Sequence, residues 1–329
     1  MNTQNSVEEL QKLKEVKELY IDSPLLKTVK SKMQSCLISK GLPPPKCMLI
    51  TGDTGAGKTT LIKQFIKAYP SDDSANRSKI PILHTTLPEN ATPKTASQQL
   101  LSDLGDPLYF DGNDPIYFRK KIATLLKETD TQLIFLDEFQ HMIERNTGDV
   151  ISRTTDWLKL LIELTEIPII LSGMPYCEMV LRHNSQLSER VFYRITLPPF
   201  RVNDPKQREY YLIFLTMIDK NLPFKFEATL TEGSMPKRLY AYSNGNMRKL
   251  KSIISEASEI AIFNDDKSLK LEHFKEAAEP GIDNENCATL AFHVSENKLA
   301  IKEPGANPGW EDFLIRRTKA SAPQKLAFG

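Results

Sequence analysis

Residues 52–59 read Gly52-Asp53-Thr54-Gly55-Ala56-Gly57-Lys58-Thr59, a complete G-x-x-x-x-G-K-[ST] string, followed by Thr60. The pattern constrains the fold because its chemistry needs a loop between a strand and a helix. Glycines let the backbone turn tightly so that successive N–H groups point at phosphate oxygens. Lys58 then sets a cation on the β- and γ-phosphates, and the Thr59 hydroxyl ligates Mg²⁺. The flanks meet the requirement. Cys47-Met48-Leu49-Ile50 before it is an apolar run the size of a buried parallel strand, and Leu61-Ile62 and Phe65-Ile66 after it recur at helical spacing. The string reads as a nucleoside triphosphate site.

The rest of the chain extends the strand and helix alternation. Charged residues 6–19 and residues 25–38, opened by Ser23-Pro24, predict two helices, and Gly41-Leu42-Pro43-Pro44-Pro45 ends the second. Further strands are expected at 80–87, 133–136, 167–171 and 195–197, with helices at 95–104, 115–128, 152–165 and 176–189 between them. Such alternation predicts a parallel sheet covered on both faces. From residue 205 the strand signals stop, and helical patterns at 205–219, 236–243, 246–263 and 271–278 predict a small all-helical lid. The expected organisation is a helical leader over 1–45, an α/β nucleotide-binding domain over 46–202, a lid over 203–280, and a partly ordered tail over 281–329.

Composition excludes some partners and leaves others open. Lys and Arg number 43 against 42 Asp and Glu, a net charge of +1, so contact with nucleic acid requires a local basic surface. Four separated cysteines without a C-x-x-C pair argue against a zinc site or disulfide framework. The polar start and the lack of an apolar run near ~20 residues predict a cytoplasmic chain without a membrane anchor.

Four apolar residues, Leu133-Ile134-Phe135-Leu136, run into Asp137-Glu138. That places two carboxylates at the C-terminal edge of a central strand, where open α/β sheets hold their ligands. Asp137 is expected to hold Mg²⁺ through water, and Glu138 to orient and activate the attacking water. Ser172 ends the next apolar strand, within reach of the γ-phosphate or its water. Asn246 is suited to cap a helix, and Arg248 in the first turn of that helix opposes the macrodipole and so invites an anionic partner. Arg182, Arg190 and Arg194 lie at or before the fifth strand. Arg190 ranks first as a guanidinium supplied to a neighbouring subunit's γ-phosphate.

With these features in this order, residues 20–280 resemble an AAA+ ATPase. More narrowly the chain resembles the TnsC/TniB transposition regulators, close to the ORC/Cdc6-type proteins. The residues carrying that resemblance are Tyr20-Ile21-Asp22-Ser23-Pro24, the string Leu49–Thr60, Leu136-Asp137-Glu138-Phe139-Gln140-His141, Ile169–Pro175 and Leu197-Pro198-Pro199-Phe200, the Asp-Glu-Phe-Gln-His string being the most specific. The resemblance implies a five-stranded parallel sheet in the order 5-1-4-3-2 and ATP with Mg²⁺ bound between neighbouring subunits. It implies head-to-tail rings or filaments of six or seven copies around double-stranded DNA, and a link from a target-selector protein to a transposase. It also implies Ser172 as first sensor, Arg248 as second sensor and Arg190 as the arginine finger, with slow, switch-like hydrolysis.

Duplex held in such an assembly is bound mainly through phosphate, so sequence preference is expected to be weak. Lys94, Thr95, Arg119, Lys120, Arg145 and Arg153 are the candidate contacts. The tail, with Trp310, Phe313, Arg316 and Arg317, is a candidate docking element for the transposase. Alternatives within the same chemistry are a helicase loader or replication initiator, a STAND-type signalling switch, and a P-loop kinase.

Overall fold

The computed structural model of the 329-residue chain describes residues 3–72, 78–110, 114–144, 148–224, 230–278 and 289–305. It divides into two compact units. One takes Pro24–Pro198, and the other joins Met1–Ser23 to Pro199–Ala306.

The first unit is an α/β sandwich. Its helices and strands are α2 (Pro24–Leu37), β1 (Cys47–Gly52), α3 (Lys58–Ile66), β2 (Ile82–Thr86), α4 (Pro93–Asp103), α5 (Pro115–Glu128), β3 (Leu133–Asp137), α6 (Gly148–Thr165), β4 (Ile169–Gly173), α7 (Glu178–His183), α8 (Ser185–Arg190) and β5 (Val191–Leu197). All pairings are parallel, in the order β2-β3-β4-β1-β5, which is the expected 5-1-4-3-2 read from the other edge. The three central strands are buried along their whole length, as expected for strands covered on both faces. Cys47, Leu49, Ile134, Leu136, Ile169 and Leu171 turn toward a core shared with α4 to α7. Alternate residues turn the other way, where Phe135 meets Phe65 of α3 edge-on at 6.0 Å. Each fully buried Leu, Ile or Phe contributes about 1.5–3 kcal/mol relative to exposure.

Two elements differ from the sequence expectation. The helix expected over 176–189 is broken at Asn184, which is extended (φ −137°, ψ 110°) and whose side chain accepts from the Leu187 N–H to cap α8. Local capping by a short polar side chain competes with helix continuation there. β5 is also longer than residues 195–197. It begins at Val191, and Phe192, Arg194 and Thr196 are exposed on it. As an edge strand it alternates, so it lacks the continuous apolar run of a buried strand.

The second unit comprises α1 (Thr3–Glu18), α9 (Pro205–Asn221), α10 (Met235–Ser243), α11 (Met247–Phe263) and α12 (Leu271–Ala277). Residues 1–23, expected within the leader, are grouped here because Val16 and Ile21 bury against this unit's own core with Leu215, Tyr240 and Ile254. The described part of the expected tail also belongs here. Ala291 and Phe292 enter the same core, and the buried Arg238 donates to the Ala291 and Val294 carbonyls at 2.9 and 2.8 Å. Trp310, Phe313, Arg316 and Arg317 lie outside the described residues. No helix among the described residues is long and apolar enough to cross a membrane.

Candidate nucleotide site

The site is built at the C-terminal edge of the sheet. β1 ends at Gly52, and the loop turns through Gly55 and Gly57 at φ 83° and 88°, a left-handed backbone that glycine adopts without strain. Gly57 caps α3 without a side chain, so no cap oxygen occupies the first N–H groups of that helix. Such a helix start is suited to anions. Lys58, 7% exposed, folds over the loop, its Nζ donating to the Gly52 and Asp53 carbonyls at 2.6 and 3.2 Å. Burial lowers the Lys58 pKa, and the negative charges of Glu138 and Asp137 oppose that shift. Thr54 and Thr60 are exposed and Ala56 is buried; with Asp53 these residues sit in the loop or the first turn of α3.

Thr59 Oγ1 donates to Asp137 Oδ2 at 2.8 Å, tying α3 to the end of β3. Asp137 is 1% exposed, and its Oδ1 accepts from the Glu138 N–H at 3.0 Å. Burial alone pushes its pKa up. Hydrogens aimed at it by His84, Ser172, Thr59 and the Glu138 backbone outweigh burial and hold the carboxyl below its usual range. The bonds from Thr59 and Glu138 are within ordinary hydrogen-bond distance. His84 Nε2 stands 3.7 Å away, and neither it nor Ser172 Oγ has a hydrogen-bond partner at normal distance, so these two act as oriented dipoles.

Register explains why these residues meet. Leu136 pairs with Leu171 and Ile50 with Ser172, so Ser172, next to last in β4, lies between β1 and the Asp137 end of β3. The next residue, Glu138, takes a left-handed backbone (φ 54°, ψ 39°), and its Oε2 accepts a short hydrogen bond from Gln140 Nε2.

These donors fit a magnesium nucleotide. Thr59 and Asp137 present hard oxygen ligands side by side, Lys58 holds a cation in a glycine-rich loop, and the buried Ser172 hydroxyl is unbonded beside them. Mg²⁺ held by Thr59 and Asp137 would neutralise phosphate charge, and the Glu138 carboxylate, which accepts from Gln140, stands one residue beyond Asp137.

The expected arginines of the α/β unit are not brought to this edge. Arg190 precedes β5 and therefore lies at the opposite edge of the parallel sheet, roughly 20 Å along the strand. Its Nη2 donates to Glu163 Oε1 at 2.7 Å. Arg194 bonds Ser188 through its carbonyl and hydroxyl, and Arg182 pairs with Glu178 at 3.5 Å. Arg248 belongs to the helical unit, in the first turn of α11, where Asn246 Oδ1 accepts from the Arg248 and Lys249 N–H groups as the sequence predicted.

Of the expected DNA contacts, Lys94 and Thr95 begin α4, Arg119 and Lys120 lie early in α5, and Arg153 is on α6. Thr95 completes a capping box with Thr92, Arg119 donates to the Pro115 carbonyl, and Arg153 pairs with Asp149 at 2.7 Å. Arg145 lies outside the described residues. Sequence reasoning missed His84 and Gln140. A histidine inside the strand Ile82-Leu83-His84-Thr85-Thr86 was the signal for the first, and the Asp-Glu-Phe-Gln-His string held the second.

The fold is shared with solved AAA+ proteins. The Aeropyrum pernix ORC2 protein, solved in ADPNP-ADP complexes, is 15% identical with a TM-score of 0.53, covering 91% of this chain and 86% of that one. Cdc6p from Pyrobaculum aerophilum is 16% identical with a TM-score of 0.54, covering 81% and 70%. The Aeropyrum pernix ORC1 protein, solved in complex with DNA, is 15% identical with a TM-score of 0.50, covering 79% and 65%. No curated protein matches the chain at a significant level. The family model for the bacterial TniB protein matches residues 13–202, which include every residue of the phosphate-loop edge. The chain therefore carries an AAA+ ATPase fold and belongs to the TniB family.

Proposed function

We propose that the chain binds ATP with Mg²⁺, assembles head to tail on double-stranded DNA while ATP is bound, and hydrolyses ATP slowly to release that assembly. In this reading it carries a signal from a target-selector protein to a transposase and so regulates DNA transposition. The observation that supports it most directly is the Thr59–Asp137 hydrogen bond beneath the phosphate loop, with Glu138 next in the chain. In-line attack on the γ-phosphate needs positioning and charge stabilisation more than covalent help, and this edge supplies both. Lys58 and the loop N–H groups hold the phosphates, Glu138 takes a proton from the attacking water, and Ser172 is the first sensor. Arg248 is the second sensor that the family implies.

Arg190, at the other edge of the sheet, serves a neighbouring copy, which makes turnover depend on assembly. It must first leave Glu163 or carry it along. Lys94, Arg119 and Lys120 contact DNA phosphate, and Thr95, Arg145 and Arg153 complete the proposed surface.

Electron microscopy of the chain with random-sequence duplex, with and without ATP and Mg²⁺, tests this reading beside Glu138→Gln. Rings or filaments that need ATP and persist in the variant are expected. Particles that stay monomeric in all conditions sink it. The archaeal ORC and Cdc6 proteins of the same fold favour a second reading, a replication initiator or helicase loader. Pull-down of a replicative helicase in place of a transposase would select it.

A further inference from the structure

Glu138 needs more than a place in the chain to act on a water, because its side chain has three rotatable bonds. Its backbone is fixed by its own N–H on Asp137 Oδ1 and by its carbonyl, which accepts from the His141 N–H at 3.0 Å. Among the described residues, one hydrogen bond reaches its carboxylate, from Gln140 Nε2. Gln140 is 6% exposed, and its other amide atom is also committed: Oε1 accepts from the Met174 N–H at 3.3 Å.

The backbone after β4 approaches Gln140 closely. A Cβ on Gly173 would stand 2.9 Å from Gln140 Oε1, 3.2 Å from its N and 2.6 Å from Cys177 Sγ, so the contact requires glycine. Met174 in turn accepts a weak bond from the phosphate-loop residue Thr54, Oγ1 to Sδ at 3.8 Å.

We propose that Gln140 is the positioning residue for the catalytic glutamate: its amide clamps the Glu138 carboxylate to the Gly173-Met174 backbone, fixing the base relative to the phosphate loop and the Ser172 end of β4. The inference rests on the ATPase reading above. The residue type follows from the task. The clamp needs a donor toward a carboxylate and an acceptor toward an N–H on one planar group, which an amide has and a carboxylate, thioether or alkyl group lacks. Asparagine is one methylene shorter. Misplacing a catalytic group by about 1 Å costs on the order of 100-fold.

The test uses the full chain with duplex DNA and compares wild type, Gln140→Met, Glu138→Gln and the double variant. Methionine keeps the volume and removes both hydrogen bonds. Gln140→Met is expected to lower kcat about 10- to 100-fold, with KM for ATP, the affinity for a fluorescent ATP analogue and the Tm nearly unchanged. In the Glu138→Gln background the same substitution is expected to add no further loss, because there is no base left to place. Wild-type or faster turnover in Gln140→Met, or losses that multiply in the double variant, overturn the proposal. A wild type that turns over while Glu138→Gln does not keeps the ATPase reading whatever Gln140 does; a wild type with no turnover overturns both.

Discussion

The phosphate-loop edge and the polar side chains of α4 to α6 find their partners in opposite ways. At the edge, polar groups come from distant parts of the chain and are buried against each other. Thr59 reaches Asp137 across 78 residues, and Gln140 reaches Met174 across 34. On the surface, each paired group is explained within its own helical turn: Arg153 by Asp149, Arg119 by the Pro115 carbonyl, Thr95 by Thr92. A long-range buried polar contact costs desolvation unless its geometry is maintained, so it signals a selected arrangement. A pair four residues apart at the surface is worth a few tenths of a kcal/mol and signals little.

The contrast is testable residue by residue. Lys58→Ala should have the largest effect, weakening ATP binding by 100-fold or more in a fluorescence titration while the fold is retained. Unchanged affinity would remove the edge from consideration as a nucleotide site.

Asp103 sharpens the contrast between two carboxylates of one sandwich. Asp137 is held low, but Asp103 at the end of α4 is pushed up by burial, which the Gln99 hydrogen bond at 3.0 Å and the nearby Thr85 and His84 side chains offset only in part. With its folded-state pKa above the unfolded value of about 3.9, Asp103 contributes stability that is fully present below that pH and lost as pH rises through the folded value. Asp103→Asn should therefore raise the urea midpoint relative to wild type more at pH 7 than at pH 4. An equal shift at both pH values would mean that the charge of Asp103 is not the cause.

Thr92→Ala removes the side-chain half of the α4 capping box and should cost about 1 kcal/mol in urea unfolding. Smallest of all, Arg153→Ala should change stability by less than about 0.5 kcal/mol. If it nonetheless weakens duplex binding and flattens the salt dependence of that binding, the arginine has a role that its pairing with Asp149 does not explain.

Much of the edge was legible in the sequence because its constraints are local. Gly55 and Gly57 must take left-handed turns, Lys58 and Thr59 must open a helix, and Asp137-Glu138 must follow an apolar run. Each of these is written within a few residues. The sheet order came only with the family resemblance, since strand spacing along a chain does not encode neighbours. The start of β5 and the break at Asn184 were missed for a related reason: an exposed edge strand has no apolar run, and an asparagine cap resembles any polar residue on a helix face. Gln140 and His84 act across strands, and no spacing rule connects Gln140 to Met174 or His84 to Asp137. The arginines were the least legible, because a guanidinium's partner is chosen by tertiary packing, as Glu163 shows for Arg190.

The helical unit is completed by residues from both ends of the α/β unit's chain, and this has a consequence for synthesis. Lys251 Nζ bonds the Lys17 carbonyl across 234 residues, and Val16 and Ile21 bury in a core whose other members begin at Tyr211. At about 5–20 residues per second, α1 leaves the ribosome on the order of 10–50 seconds before α11 exists to receive it. Throughout that interval its apolar stripe has no native partner, while the nucleotide-binding sandwich is finished and free to fold. A helix made well before its partners is thus stabilised only once they appear, and through that interval it is open to chaperones and proteases.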